Sequence, residues 1–325
     1  MNGTSSSQPR CAARKVAPLG SGRRPTGRAR LRRAAILIPL VLLTAQPGLA
    51  ADINPIRFQS RGVVLSGDVV FPEGRPPIAG LVLVQGANDL KRKLVVAEIL
   101  ASDGFAVLTY DKRGTGQSGG IYWGHTKARP NIAAGNISLL ADDAAAAMNV
   151  LASNRRLQGK PSGFVGFSIA GWIIPIAATR TPAAKFIGLW SGPVCTISEQ
   201  LHFQDWAEKN MAFWKTHTQR QVEQYMKSVQ YRADDVDPRA SLSRLSIPGL
   251  WLFGADDNII PVRLSVGRLE NLVHRGHGNF EYRIFQGYGH NVFDSPRAPA
   301  YRFMIQWIRN TVAKFPRPPS NAPRR

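Results

Sequence analysis

The chain has 325 residues, 44% of them hydrophobic, which is enough apolar material to close a sizeable core. Its formal net charge of +21 is unevenly spread: residues 1–50 hold nine basic residues and no acid, and without them the net falls to +12. No zinc-ligand spacing and no helix of clustered base-reading side chains accompanies that charge, so nucleic acid is set aside as a partner.

The first fifty residues read as an export signal. A basic segment ends at Arg32 and Arg33, the apolar run "AAILIPLVLLTA" follows from Ala34 to Ala45, and "GLA" (Gly48 to Ala50) offers the small residues a signal peptidase reads. Cleavage is predicted near Ala50, giving a periplasmic or secreted protein. The apolar run is shorter than the roughly 20 residues a bilayer span needs. Cys11 leaves with this leader, so Cys195 has no internal disulfide partner. Its place after an apolar strand and the turn Ser191-Gly192-Pro193 predicts a partly buried structural thiol. The basic charge allows contact with an anionic membrane surface without requiring it.

The body, residues 51–315, alternates short apolar runs with helical patterns. "IRFQS" and "GVVLSGDVVFP" read as antiparallel strands joined by Arg61-Gly62, followed by a loop from Gly74 to Pro77. Strand 80–86, helix 89–104 and strand 105–111 come next. After a glycine-rich loop, a helix over 138–154 is predicted with Ser138 as its cap. Strand 162–167, a helix running to about Arg180 and strand 185–192 follow. Residues 196–240 break the rhythm and read as a small helical cap insertion. Its aromatics Phe203, Trp206, Phe213, Trp214 and Tyr225 either line an acyl pocket or bury the cap against the sheet. Strand 247–254, helix 262–273, strand 280–287 and helix 293–313 complete the body. The tail 316–325, "PRPPSNAPRR", is disordered and basic in composition. Eight such strands alternating with helices imply a mostly parallel sheet covered on both faces. In such sheets the chemistry lies at the carboxyl ends of the strands.

Ser168 stands at such an end, immediately after "SGFVGF" and at the start of a helix. Gly166 precedes it by two residues, and Ala170 and Gly171 follow. A nucleophile elbow needs a sharp, strained turn between strand and helix, with small flanking residues that let the two approach. The usual form is G-x-S-x-G, and Ala170 departs from it. A serine nucleophile needs a base, and the base needs an orienting acid. "WLFGADDNIIP" supplies Asp256 and Asp257 after a later strand, two aspartates that the pattern alone leaves undivided. "FQGYGHNVF" places His290 after the last strand. The N–H of Ile169, at the helix start, and that of Ala87, in the Gln85-Gly86-Ala87 turn, are the candidate oxyanion donors.

Together "FVGFSIAGWIIP", "YDKRGTGQSGG", "GADDNIIP" and "GYGH" resemble the α/β-hydrolase superfamily, in its esterase and dienelactone-hydrolase-like or serine-aminopeptidase-like subgroup. The loop Tyr110 to Gly120 is similar to that group's D-x-R-G-x-G-x-S. The resemblance covers most of residues 60–313 and implies the α/β-hydrolase fold. It makes Ser168 the nucleophile, His290 the base, and Ala87 and Ile169 the oxyanion hole. It favours Asp257 over Asp256 through a G-x-x-D-x-x-x-P spacing from Gly254 to Pro261. Gln85 stands where many members have histidine, which bears on how the oxyanion loop is braced.

The reading that results is an exported, cofactor-independent serine hydrolase acting on a small-molecule ester or acyl substrate. A peptidase or acyltransferase on the same machinery, and a catalytically silent binding protein on the same fold, are its rivals. Oligomeric state is left open. Asp111 and Arg113 are expected to shape the glycine loop, and Asp142 and Asp143 to be solvated. His274 and His277 read as a solvated helix end without a third metal donor, and His125 as a surface-loop residue.

Overall fold

A computed structural model describes residues 52–122, 133–210, 212–229, 235–277 and 279–316. The expected leader and cleavage site, His125, and the residues beyond 316 lie outside the described residues. The strands are β1 (Asp52–Ser60), β2 (Val63–Phe71), β3 (Ala79–Val84), β4 (Phe105–Tyr110), β5 (Ser162–Phe167), β6 (Ala184–Trp190), β7 (Pro248–Gly254) and β8 (Asn279–Phe285). β3 to β7 are the apolar runs, while β8 is half polar and β1, largely exposed, starts four residues before the expected Ile56 because its pairing with β2 continues to Phe71. They make one eight-stranded sheet in the order β1-β2-β4-β3-β5-β6-β7-β8. β1 and β2 form a hairpin across Arg61 and Gly62, both at positive φ (45° and 74°), a backbone that matches the twist of paired strands. β2 runs antiparallel to β4, and the strands from β4 to β8 are parallel. This is the α/β-hydrolase arrangement expected above.

The alternation of a strand sorts its side chains onto two faces. Val82 and Val84 of β3 enter one core layer with α2 (Ala134–Ala152), α3 (Ala170–Thr179) and α8 (Val262–His274). Leu81 and Leu83 enter the other, with α1 (Leu94–Ser102) and α9 (Pro299–Val312). Every residue of β3 and β4 is buried, as double coverage requires.

Three helix starts differ from the sequence expectation. α1 begins at Leu94 rather than near residue 89, because residues 89–93 are held by polar contacts instead of by helical bonds. Arg92 forks onto Asp68 and Asp111, and the Leu90 carbonyl accepts from Lys112 N–H and the Thr115 hydroxyl. α2 begins one turn early, so Ser138 is inside it and does not cap it; its hydroxyl and carbonyl accept from Arg180 instead. α9 begins at Pro299, a residue suited to the first turn, and leaves 290–298 as a loop that carries His290.

Asp142 and Asp143 are not simply solvated. Asp143 is fully buried against Arg113, and Asp142 pairs with Arg61 and Arg180. Arg113 thus anchors the glycine loop to α2. Cys195 is more buried than expected, with no exposed surface.

Between β6 and β7 lie α4 (Ile197–Glu208), α5 (Phe213–Thr216), α6 (Gln219–Ser228) and α7 (Pro238–Leu242). Leu242 of α7 belongs to the main core. Phe203, Phe213, Val222 and Met226 form a separate small core, with Trp206, Trp214 and Tyr225 packed against it. Neither reading of these aromatics holds as stated: they form a cluster of their own with Leu264 of α8, and none lines the large cavity described below.

Candidate active site

Ser168 has φ of 52°, the left-handed region that costs a residue with a side chain about 1 kcal/mol or more. The strain is held on both sides. Its N–H donates to the Trp190 carbonyl at 3.0 Å, and its carbonyl accepts from Gly171 N–H at 2.8 Å. The small neighbours have separate tasks. A Cβ on Gly166 would stand 2.5 Å from Ala170 Cβ and 2.8 Å from the Val84 carbonyl. A Cβ on Gly171 would stand 2.5 Å from Pro193. Close backbone approach is therefore needed at 166 and 171, and 170 has room for a methyl group once 166 is glycine. That accounts for Ala170 where the usual pattern has glycine.

His290 Nε2 lies 3.0 Å from Ser168 Oγ, and His290 Nδ1 lies 2.9 Å from Asp257 Oδ2. The two aspartates separate cleanly. Asp257 is fully buried and its Oδ1 accepts from the N–H groups of Ile259 and Ile260 at 2.8 and 2.9 Å, so its carboxylate is fixed while one oxygen is left for the histidine. Asp256 is exposed and offers its backbone N–H to Tyr288. Gly254 makes this crossing of loops feasible, since a Cβ there would meet the carbonyls of Tyr288 and Gly289 at 2.2 Å.

Sequence reasoning passed over Ser191. It follows β6, has φ of 50°, and donates its hydroxyl to the His290 carbonyl at 2.6 Å. The histidine loop is thereby tied to the strand beside the elbow. Its signal was a serine ahead of Gly-Pro at a strand end, read there only as a turn.

Ala87, Ile169, Ser168 and His290 share the wall of one cavity of about 680 Å³. Neither the N–H of Ala87 nor that of Ile169 has an acceptor among the described residues. Gln85 takes up the bracing its position suggested: its amide donates to the Tyr110 carbonyl and, at 3.4 Å, to that of Lys91. On one side the cavity is aromatic. Phe167 stacks on Trp190 with centroids 4.9 Å apart, and Phe293 meets both edge-on. The lining also includes Asn88 and the Asp89–Lys93 pair, with Gln200, Leu201 and Gln204 from α4.

Asp111 organises the glycine loop as expected. It accepts from Gln117 N–H and from Arg92. Burial alone would raise its carboxyl, but Arg92 and the N–H groups of Gln117 and Arg92 outweigh it and hold the group below its ordinary value. His274 and His277 gain no further donor, and no group of three metal-ligating side chains occurs among the described residues.

Fold and site together define an α/β hydrolase. A family model described as serine aminopeptidase, S33, matches residues 75–237, and the chain belongs to that family. No curated protein matches it. Solved structures share the fold at low identity. An esterase of Pyrococcus furiosus is 16% identical with a TM-score of 0.58, over 81% of this chain and 94% of its own. A dienelactone hydrolase-like promiscuous phosphotriesterase from metagenomic libraries is 16% identical with a TM-score of 0.57, over 82% and 99%. An acylaminoacyl peptidase of Pyrococcus horikoshii is 16% identical with a TM-score of 0.60, over 82% of this chain and 43% of that one.

Proposed function

We propose that the protein is an exported serine hydrolase that cleaves carboxylic esters. The observation that carries this reading is the hydrogen-bonded line Ser168–His290–Asp257 opening into the cavity. Ser168 attacks the ester carbonyl as His290 takes its proton, and Asp257 holds the tautomer and stabilises the imidazolium. The N–H groups of Ala87 and Ile169 receive the oxyanion. His290 then gives the proton to the departing alkoxide. Water, deprotonated in turn by His290, releases the acid from the acyl-enzyme.

Ester rather than free-amine peptide is favoured by the lining. An N-terminal ammonium needs a carboxylate partner, and Asp89, the one carboxylate among the described residues that line the cavity, already pairs with Lys93 at 2.6 Å. The aromatic wall suits an apolar group of modest size.

Nitrophenyl acetate and butyrate, beside aminoacyl nitroanilides, test this. The wild type is expected to turn over the esters, and Ser168→Ala to lose at least about a thousandfold in kcat. Equal rates for the two proteins would sink the nucleophile, and faster amide turnover would move the chain to the peptidase reading.

Export rests on the basic and apolar leader. β1 begins at Asp52, so removal of residues 1–50 leaves the sheet whole. Mass spectrometry of protein recovered from the envelope fraction is expected to find Ala51 first; a retained leader would refute the assignment.

A further inference from the structure

Lys112 is a buried cation outside the mechanism above. It is 4% exposed and follows β4, in the loop that Asp111 and Arg113 shape. The other buried or nearly buried cations hold carboxylates: Arg113 has Asp143, Arg92 has Asp68 and Asp111, and Arg268 has Glu199. Among the described residues Lys112 has none within ion-pair distance. Its ammonium donates instead to two backbone carbonyls, that of Gly86 and, at 3.3 Å, that of Ala87. Burial pushes its pKa down to about 8, with Asp89 pulling it up and Lys93 pushing it down. An unpaired amine in such a place is costly to the fold, and a methionine would fill the same volume without that cost.

The two carbonyls belong to the turn that carries a candidate oxyanion donor. In a planar trans peptide the carbonyl and the following N–H point in opposite directions. A hand on the Gly86 oxygen therefore aims the Ala87 N–H the other way. Gly86 and Ala87 both line the cavity beside Ser168, and Ala87 N–H has no acceptor among the described residues. Glycine at 86 eases rotation of that peptide, whose oxygen is held, besides Lys112, by the Asp89 N–H at 3.3 Å. Gln85 fixes the turn from the strand side through Tyr110 and Lys91, but it does not touch the Gly86 peptide oxygen. A cation on a carbonyl also polarises the peptide and strengthens its N–H as a donor.

We propose that Lys112 is the positioning residue of the oxyanion hole, fixing the Gly86–Ala87 peptide with its N–H toward Ser168. The assignment rests on the serine-hydrolase reading. Lys112 touches no substrate; it acts through the peptide.

The test compares wild type, Ser168→Ala, Lys112→Met and Lys112→Gln on nitrophenyl butyrate. It also measures inhibition by an alkyl trifluoromethyl ketone, which adds to a serine as a hemiketal bearing the oxyanion. Lys112→Met is expected to lose about a hundredfold in kcat, the scale of one lost oxyanion donor. Its KM should change by less than about threefold, and its affinity for the ketone should fall by the same factor as kcat. That parallel fall is what a merely structural lysine would not produce. Lys112→Gln keeps an N–H donor and covers failure of the methionine variant to fold; a loss of about tenfold in kcat is expected for it. Rates and ketone affinities within about threefold of wild type in the folded lysine variants, with Ser168→Ala inactive, overturn the role of Lys112 alone. A Ser168→Ala rate equal to wild type overturns the catalytic reading and the hole together.

Discussion

Asp256 and Asp257 differ by one position and by everything that surrounds them. The first faces solvent and contributes a backbone N–H; the second is buried, fixed by two N–H groups, and touches His290. Asp257→Asn keeps the shape of the side chain but offers the histidine an amide, which favours the wrong tautomer. A fall in kcat on the order of 1,000- to 10,000-fold is expected, while Asp256→Asn should stay within about twofold because an exposed side chain without a contact to the histidine has little to lose. Steady-state kinetics of both variants decide it, and comparable losses would contradict the assignment. The sequence singled out Ser168 and His290 on position alone, because both sit at strand ends with small or polar neighbours. It left the acid undivided without the family resemblance, since adjacent aspartates in a turn differ only in what folds over them. Ser191 and Lys112 were illegible for a related reason. Their partners are backbone carbonyls, which carry no residue identity.

At the scale of elements, the buried strands were legible to within about two residues, whereas the exposed start of β1 and several helix starts were not. Apolar runs mark strands directly, whereas α1 loses its first turn to Arg92 and its two carboxylate partners, which are distant in sequence. Expecting Asp142 and Asp143 to be solvated failed in the same way, because helical position says nothing of Arg61, Arg113 and Arg180. The most consequential joint is that between α4 and α8. Glu199 accepts both forks of Arg268 and also closes the capping box on Thr196. Burial raises its carboxyl, but Arg268 and Thr196 outweigh that and hold it below the ordinary 4.5. A depressed acid stabilises the fold above its unfolded pKa, and that contribution is lost as pH falls through the lower folded value. Glu199→Gln is therefore expected to destabilise by about 2 kcal/mol at neutral pH, less than for a fully dry pair. The difference from wild type should shrink below about pH 4. Urea melts at pH 7 and pH 3.5 read both; a deficit independent of pH would refute the ion-pair account.

For the molecule as a whole, double coverage of the sheet follows from near-continuous apolar strands, so the fold class was legible from hydropathy alone. The insertion was legible as a change of rhythm, but not what its aromatics face. They form their own core beside α8, and α4 turns Gln200 and Gln204 rather than its rings toward the cavity. The insertion thus contributes Gln200, Leu201 and Gln204 to the cavity, and none of its rings.

The hydrogen bond between Ser168 and His290 spans 122 positions of chain, and β8 at the edge of the sheet separates the Asp257 turn from the histidine loop. Translation delivers these pieces in order, so a growing chain holds an elbow serine and an aspartate long before it holds a base. A ribosome-bound chain ending at His274 carries Ser168 without His290, the proposed proton acceptor, and is expected to leave a fluorophosphonate probe unreacted, where the released full chain is labelled; equal labelling of the two would contradict this. On the reading proposed above, the position of one imidazole near the end of the message is what keeps the nascent polypeptide from cutting acyl groups around the ribosome.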